Sequence, residues 1–141
     1  MDRKACLAKV IDLIGEAAEA GARIVVFSGG VHSGTRIWID SVPIWDGDEQ
    51  WFALLVDQAV VVPGPVTDAI GAAARAAGVH VVVGVDEREP HGTSIYNTTV
   101  YLGPDGTLVG KHRKLMPTPC GAWATAQPSR SSTLRTAGSA G

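Results

Sequence analysis

The stretch Gly92-Thr93-Ser94-Ile95-Tyr96-Asn97-Thr98-Thr99-Val100-Tyr101-Leu102-Gly103-Pro104-Asp105-Gly106-Thr107-Leu108-Val109-Gly110-Lys111-His112-Arg113-Lys114-Leu115-Met116-Pro117-Thr118 decides how this chain folds. Ile95 to Leu102 and Leu108 to Gly110 are rich in β-branched and aromatic residues. Between them stands Pro104-Asp105-Gly106, where Pro presets φ, Asp bonds its own backbone and Gly supplies positive φ. Two such runs across such a turn predict a β-hairpin. The hairpin leads into four basic residues, Lys111 to Lys114, closed by Leu115-Met116-Pro117-Thr118.

Upstream, the continuous apolar run Ile24-Val25-Val26-Phe27 reads as a strand buried on both faces rather than an alternating one, and Val79-His80-Val81-Val82-Val83-Gly84-Val85 as another buried strand. Leu7, Val10, Ile11, Ile14, Ala17 and Ala18 recur at helical spacing, so residues 3–20 read as an amphipathic helix, with Gly21 as its left-handed cap. Residues 48–59 form a second helical segment carrying Trp51, Leu54, Leu55 and Gln58. After Val60-Val61-Val62, the Pro63-Gly64-Pro65 run cannot continue a strand, and Thr67 is placed to cap a third helix that ends at Gly78. Residues 28–46 read as a long, partly ordered loop. The order β–α–β followed by a hairpin indicates an α/β layered sheet, and no internal repeat is visible.

With 141 residues, the chain is one domain or part of a larger one. A chain of this size buries roughly two-thirds of its unfolded surface, enough for a core. A net charge of -2 and a pI near 6.0 give no reason to expect nucleic acid or an anionic membrane as partner. No apolar run approaches the roughly 20 residues that span a bilayer. Residues 1–6 lead straight into a helical pattern rather than a signal peptide, and Cys6 and Cys120 make no disulfide framework. The expected setting is cytoplasmic.

The hairpin and its Lys-His-Arg-Lys-Leu-Met-Pro-Thr ending closely resemble the nitrilase branch of the carbon–nitrogen hydrolase superfamily. The resemblance covers residues 2–118 in outline and is most specific over 79–118. Gly21 to Phe27 looks like the strand that leads into that family's Phe-Pro-Glu. Val62-Pro63-Gly64-Pro65 with Thr67-Asp68, and Val83-Gly84-Val85 with Glu87-Arg88, match what nitrilases place before the hairpin. The fold it implies is an α/β/β/α sandwich, of which this chain is the incomplete N-terminal part.

The resemblance also implies a chemistry: hydrolysis of a nitrile to a carboxylic acid and ammonia, with no cofactor and no metal. In such enzymes a Glu draws the proton from a Cys thiol, because the thiolate is the nucleophile. The thiolate attacks the nitrile carbon, a thioimidate forms, and water then releases ammonia and finally the acid. A Lys ammonium stabilises charge developing on the substrate nitrogen, a task suited to a compact point charge. By the family pattern that lysine is Lys114. The implied partners are a small nitrile substrate and further copies of the same chain in a homo-oligomer, with no nucleic acid and no membrane.

Three features depart from the pattern. Ser28-Gly29-Gly30 follows Phe27, so Gly29 stands where the base Glu belongs. The cysteine motif expected well beyond Lys114 is not in this sequence, and Cys120 lacks its flanking residues. The opening strand expected before the first helix is missing too. The first departure and the unusual tail share one reading at the level of the gene. Ser28 to Gly34 can be encoded so that a frame one base later gives Pro-Glu-Ala-Phe-Ile-Pro-Gly, which restores Phe-Pro-Glu after Phe27. Cys120-Gly121-Ala122 can likewise give Ala-Glu-Arg, and Trp123 to Ala126, read two bases later, can give Gly-His-Gly. On this reading residues 1–118 are the N-terminal part of a carbon–nitrogen hydrolase domain, and 119–141 are a frame-shifted or disordered tail. The chain as written is then expected to be inactive.

Other readings compete. The chain could be a non-catalytic remnant or binding fragment, or an amidase or carbamoylase of the same superfamily. The Val-Pro-Gly-Pro and Lys-Leu-Met-Pro-Thr wording favours nitrilases. Lys114 could be a solvated lysine, and Lys111 to Lys114 is too short a basic run for a nucleic-acid patch. Ser28 to Gly34 lacks the ending of a phosphate-binding P-loop. His32, Asp40, Asp46, His80 and His91 show no metal-ligand spacing. Cys6, Trp38, Trp45 and Trp51 read as packing or interface residues, and Tyr96 and Asn97 as structural support of the hairpin.

Overall fold

The computed structural model describes residues 2–31, 49–92 and 94–115. The elements in chain order are α1 (Arg3–Glu19), β1 (Ile24–Val31), α2 (Glu49–Gln58), α3 (Pro65–Ala77), β2 (His80–Arg88), β3 (Ile95–Leu102) and β4 (Leu108–Arg113). Asp2 caps α1, its carboxylate accepting from the Ala5 N–H at 3.0 Å. Past the last turn, Gly21 has φ +86°, the left-handed conformation the sequence predicts there. The third helix starts two residues before Thr67. Pro65 occupies its first turn, where its missing N–H costs nothing. The Thr67 hydroxyl reaches back to Gly64, accepting from its N–H at 2.9 Å and donating to its carbonyl at 2.8 Å.

The four strands lie in the order β1-β2-β3-β4, with β1 parallel to β2 and the other two pairs antiparallel. The C-terminal ends of β1, β2 and β4 therefore meet the start of β3 at one end of the sheet. The hairpin turn is as predicted: the Gly106 N–H donates to the Gly103 carbonyl at 2.9 Å, and Asp105 accepts from the N–H and hydroxyl of Thr107. Gly106 takes φ +81°.

One face of the sheet is covered by α1 and α3. Val10, Ile14, Ile70 and Ala74 from these helices pack on Val81, Val83, Val85, Val100 and Leu102, and Cys6 packs at the margin of the same core. The other face is more open. Burial in β2 and β3 alternates residue by residue, while Ile24 and Val26 of β1 are 61% and 65% exposed. This corrects the expectation of strands buried on both faces. The runs are apolar on both sides, but the described residues place helices over only one. β1 also continues four residues past Phe27, into the segment read as loop, with an irregularity between Phe27 and Val31. β2 and β4 each run three residues beyond the predicted ends. Most of the predicted 28–46 loop, with Trp38 and Trp45, lies outside the described residues, as does the predicted 119–141 tail. No helix among the described residues is long and apolar enough to cross a membrane.

Candidate active site

Lys114 directly follows β4, and its N–H donates to the Asn97 carbonyl at 2.8 Å. This bond extends the β3–β4 ladder by one residue, so the lysine leaves the sheet from a fixed backbone position. Asn97 pairs in turn with Asp86 of β2. Asp86, Asn97 and Lys114 thus form a row across three strands, at the end where β1 also finishes. Ligands of open α/β sheets gather outside the carboxyl ends of the strands. Lys114 is exposed.

Strand alternation divides the basic run between the two faces. Lys111 and Arg113 point to the helix-covered side and meet Glu87, which is 1% exposed. Its Oε1 accepts from Lys111 Nζ at 2.5 Å and from Arg113 NH2 at 2.9 Å; its Oε2 accepts from Arg113 Nε at 3.0 Å and from the Thr98 hydroxyl at 2.8 Å. Lys111 also donates to the Val62 carbonyl at 2.9 Å. Arg113 reaches Glu89 at 3.1 Å and lies 4.0 Å over the Tyr96 ring. Burial pushes the Glu87 carboxyl up, but hydrogen bonds from Arg113, Lys111 and Thr98, with the Lys111 charge, outweigh it and hold its pKa below the ordinary 4.5. The Arg113 guanidinium is raised further above its already high range by its bonds to Glu87.

Two of the four basic residues are therefore occupied inside, and alternation sends His112 and Lys114 to the other face. Sequence reasoning missed the Glu87 cluster, although a signal was present. Glu87 continues the odd-numbered series Val81, Val83, Val85 on the buried face. An acid in that series needs cations, and Lys111 and Arg113 share one parity on the neighbouring hairpin.

The remaining candidates separate. Gly29 lies in β1 and has no side chain to act as a base. Trp51 is 38% exposed at the start of α2 and stands outside the core. Cys120, His32, Asp40 and Asp46 lie outside the described residues, and among the described residues no three His, Cys, Asp or Glu side chains gather as a metal site.

The sequence model of the family described as Carbon-nitrogen hydrolase matches residues 1–139. The chain is 41% identical over 121 residues to an aliphatic nitrilase of Sinorhizobium fredii, a match spanning 83% of this chain and 38% of that protein. It is 38% identical over 125 residues to a nitrilase from an unknown prokaryotic organism, spanning 83% of this chain and 37% of the other. Among solved structures, a carbon–nitrogen hydrolase from Helicobacter pylori superposes with a TM-score of 0.63 at 17% identity, over 87% of this chain and 38% of that one. The chain spans somewhat more than a third of the length of these relatives.

Proposed function

The chain belongs to the carbon–nitrogen hydrolase family, and on that premise we propose that it is the N-terminal part of a nitrilase in which Lys114 supplies the charge-stabilising amine. The observation that carries this reading is the placement of Lys114. Its backbone is bonded to Asn97 at the end of the sheet where β1 also finishes. Two of its basic neighbours are held on the opposite face by Glu87. The nitrilase relatives favour nitriles over amides as the substrate class.

In the proposed reaction a cysteine thiolate adds to the nitrile carbon, and electron density moves to nitrogen. A fixed ammonium there favours the transition state over the neutral substrate. A proton transferred to that nitrogen gives the thioimidate. One water then expels ammonia, and a second expels the thiol as the carboxylic acid forms. Lys114 and the sheet end are what this chain contributes. With Gly29 at the position of the base, the chain as written is proposed to be catalytically silent. We further read Ser28 to Gly34 and residues 119–141 as products of base slips, with 1–118 as the genuine hydrolase portion. The complete protein is read as a cytoplasmic homo-oligomer, with Trp51 and Leu54, 38% and 46% exposed on α2, as candidate interface residues.

Three measurements test this. The purified chain should release no ammonia from aliphatic or aromatic nitriles; release would mean an unforeseen nucleophile. Transplanting residues 79–115 into the Sinorhizobium fredii nitrilase should preserve nitrile hydrolysis, and Lys114→Ala in that chimera should lower kcat about 10²–10³-fold, as removal of one oxyanion donor does. An unchanged kcat would remove Lys114 from the mechanism. Sequencing the locus decides the slips, since an unbroken frame with other codons at Ser28 to Gly34 ends that reading.

A further inference from the structure

Among the described residues, the β4 strand bonds to the sheet along one edge only, and its pairing with β3 is irregular between Tyr101 and Leu102. The tight turn over residues 103–107 fixes the register at the start of β4, but the irregularity lies between that turn and residues 111–113, so the C-terminal end of the strand is not held by the turn. A slip of one residue would exchange its faces, turning Lys114 toward the helices and Lys111 and Arg113 away from them. Something must hold the C-terminal end of β4 in register, and hydrogen bonds to β3 alone do so weakly.

We propose that Glu87 is a positioning residue for Lys114: from the middle of the sheet it grips Lys111 and Arg113, fixing which face the next residue leaves. The inference rests on the reading of Lys114 as the charge-stabilising amine. Glu87 sits on β2, two strands from β4, and reaches past β3 on the helix-covered face. Both its oxygens are occupied, and Arg113 engages them as a two-pronged fork, Nε on Oε2 at 3.0 Å and NH2 on Oε1 at 2.9 Å. A fork fixes direction as well as distance. The Tyr96 ring backs the guanidinium at 4.0 Å. Lys111 supplies a second tether two residues earlier, shared with the Val62 carbonyl at 2.9 Å.

For stability alone this cluster is a poor solution. Well-packed apolar residues often replace a buried ion pair with no loss. What they do not replace is the penalty for misregister. A slipped strand would leave the Glu87 carboxylate, 1% exposed, without its cations. Leucines in the same places would tolerate the slip.

The test uses the full chain and three variants: Glu87→Gln, Glu87→Asp, and the triple change Glu87→Leu, Lys111→Met, Arg113→Leu. Residue-resolved amide exchange is read at Lys114, with Val83 and Val100 as core references. The Lys114 side-chain resonance is assigned through Lys114→Arg. In Glu87→Gln and in the triple variant, Lys114 amide exchange should accelerate by at least about tenfold relative to the references, the loss expected for a charged hydrogen bond. The Lys114 resonance should also shift or split, while Glu87→Asp restores part of the protection. A triple variant that keeps Lys114 protection within about twofold and an unchanged resonance would make the cluster mere filling and overturn the proposal. Loss of the fold in both Glu87→Gln and the triple variant would also overturn it, because the cluster would then support the core as a whole. If instead Lys114 is not the catalytic amine, the chimera kinetics above show it and the exchange result stands.

Discussion

The same small change, glycine to alanine in a helix, should have opposite effects at two places in this protein. Gly71 lies buried in α3, against the hairpin turn. A Cβ built there would meet the Gly106 carbonyl oxygen at 2.5 Å and its carbon at 3.4 Å. The turn cannot easily yield, because a Cβ on Gly106 would itself lie 2.5 Å from the Gly71 oxygen, and Gly106 holds φ +81°. In Gly71→Ala, helix propensity favours the variant by about 1 kcal/mol. Against this, a 2.5 Å clash with backbone rather than a flexible side chain puts the overpacking cost in the upper part of its range, about 2–3 kcal/mol, and helix and turn must part along a line of contact. Overpacking outweighs propensity, for a net loss of about 1–2 kcal/mol. At Gly15 in α1, nothing lies within 4 Å of where a Cβ would stand. Gly15→Ala should therefore gain about 0.5–1 kcal/mol. Urea and thermal unfolding of both variants measure this, with melting temperatures moving roughly 4–8 °C down and 2–5 °C up. A Gly71→Ala variant as stable as the parent would refute the close approach of α3 to the turn, and with it the placement of the hairpin that carries Lys114.

Acid should weaken the fold in part through Glu87. Its carboxyl binds a proton less readily when folded than its ordinary 4.5 implies. Its contribution to stability is thus full above that value and is lost as pH falls through the lower folded value. Unfolding midpoints from pH 7 to pH 3 should decline in the parent and decline less in Glu87→Gln; equal slopes would deny the carboxylate this role. Arg3 closes the C-terminal end of α2, its NH1 donating to the carbonyls of Asp57, Gln58 and Ala59 at 3.0, 3.3 and 3.1 Å. Arg3→Ala should cost about 1 kcal/mol, with amide exchange rising first in α2, and Arg3→Lys should recover much of it, because one nitrogen, NH1, makes all three bonds and an ammonium carries three donors. Thr98→Val removes one donor from buried Glu87 and should cost about 1 kcal/mol, seen as a lower urea midpoint at pH 7.

By itself the sequence determined the type and order of the described elements and the family, though not where β1, β2 and β4 end. Helical spacing from Leu7 to Ala18, turn chemistry at Pro104-Asp105-Gly106 and the run ending Lys114 are local signals, because each depends on residues a few positions apart. Only the tertiary structure decided which faces are covered and where the charges go. Ile24 to Phe27 is equally apolar on both sides, and no pattern within it says that Ile24 and Val26 stand 61% and 65% exposed. The pairing of Glu87 with Lys111 and Arg113 spans 24 and 26 residues and exists only because β2, β3 and β4 lie side by side. Hydrophobic period is written in the chain, whereas burial and ion pairing belong to whatever the fold brings alongside.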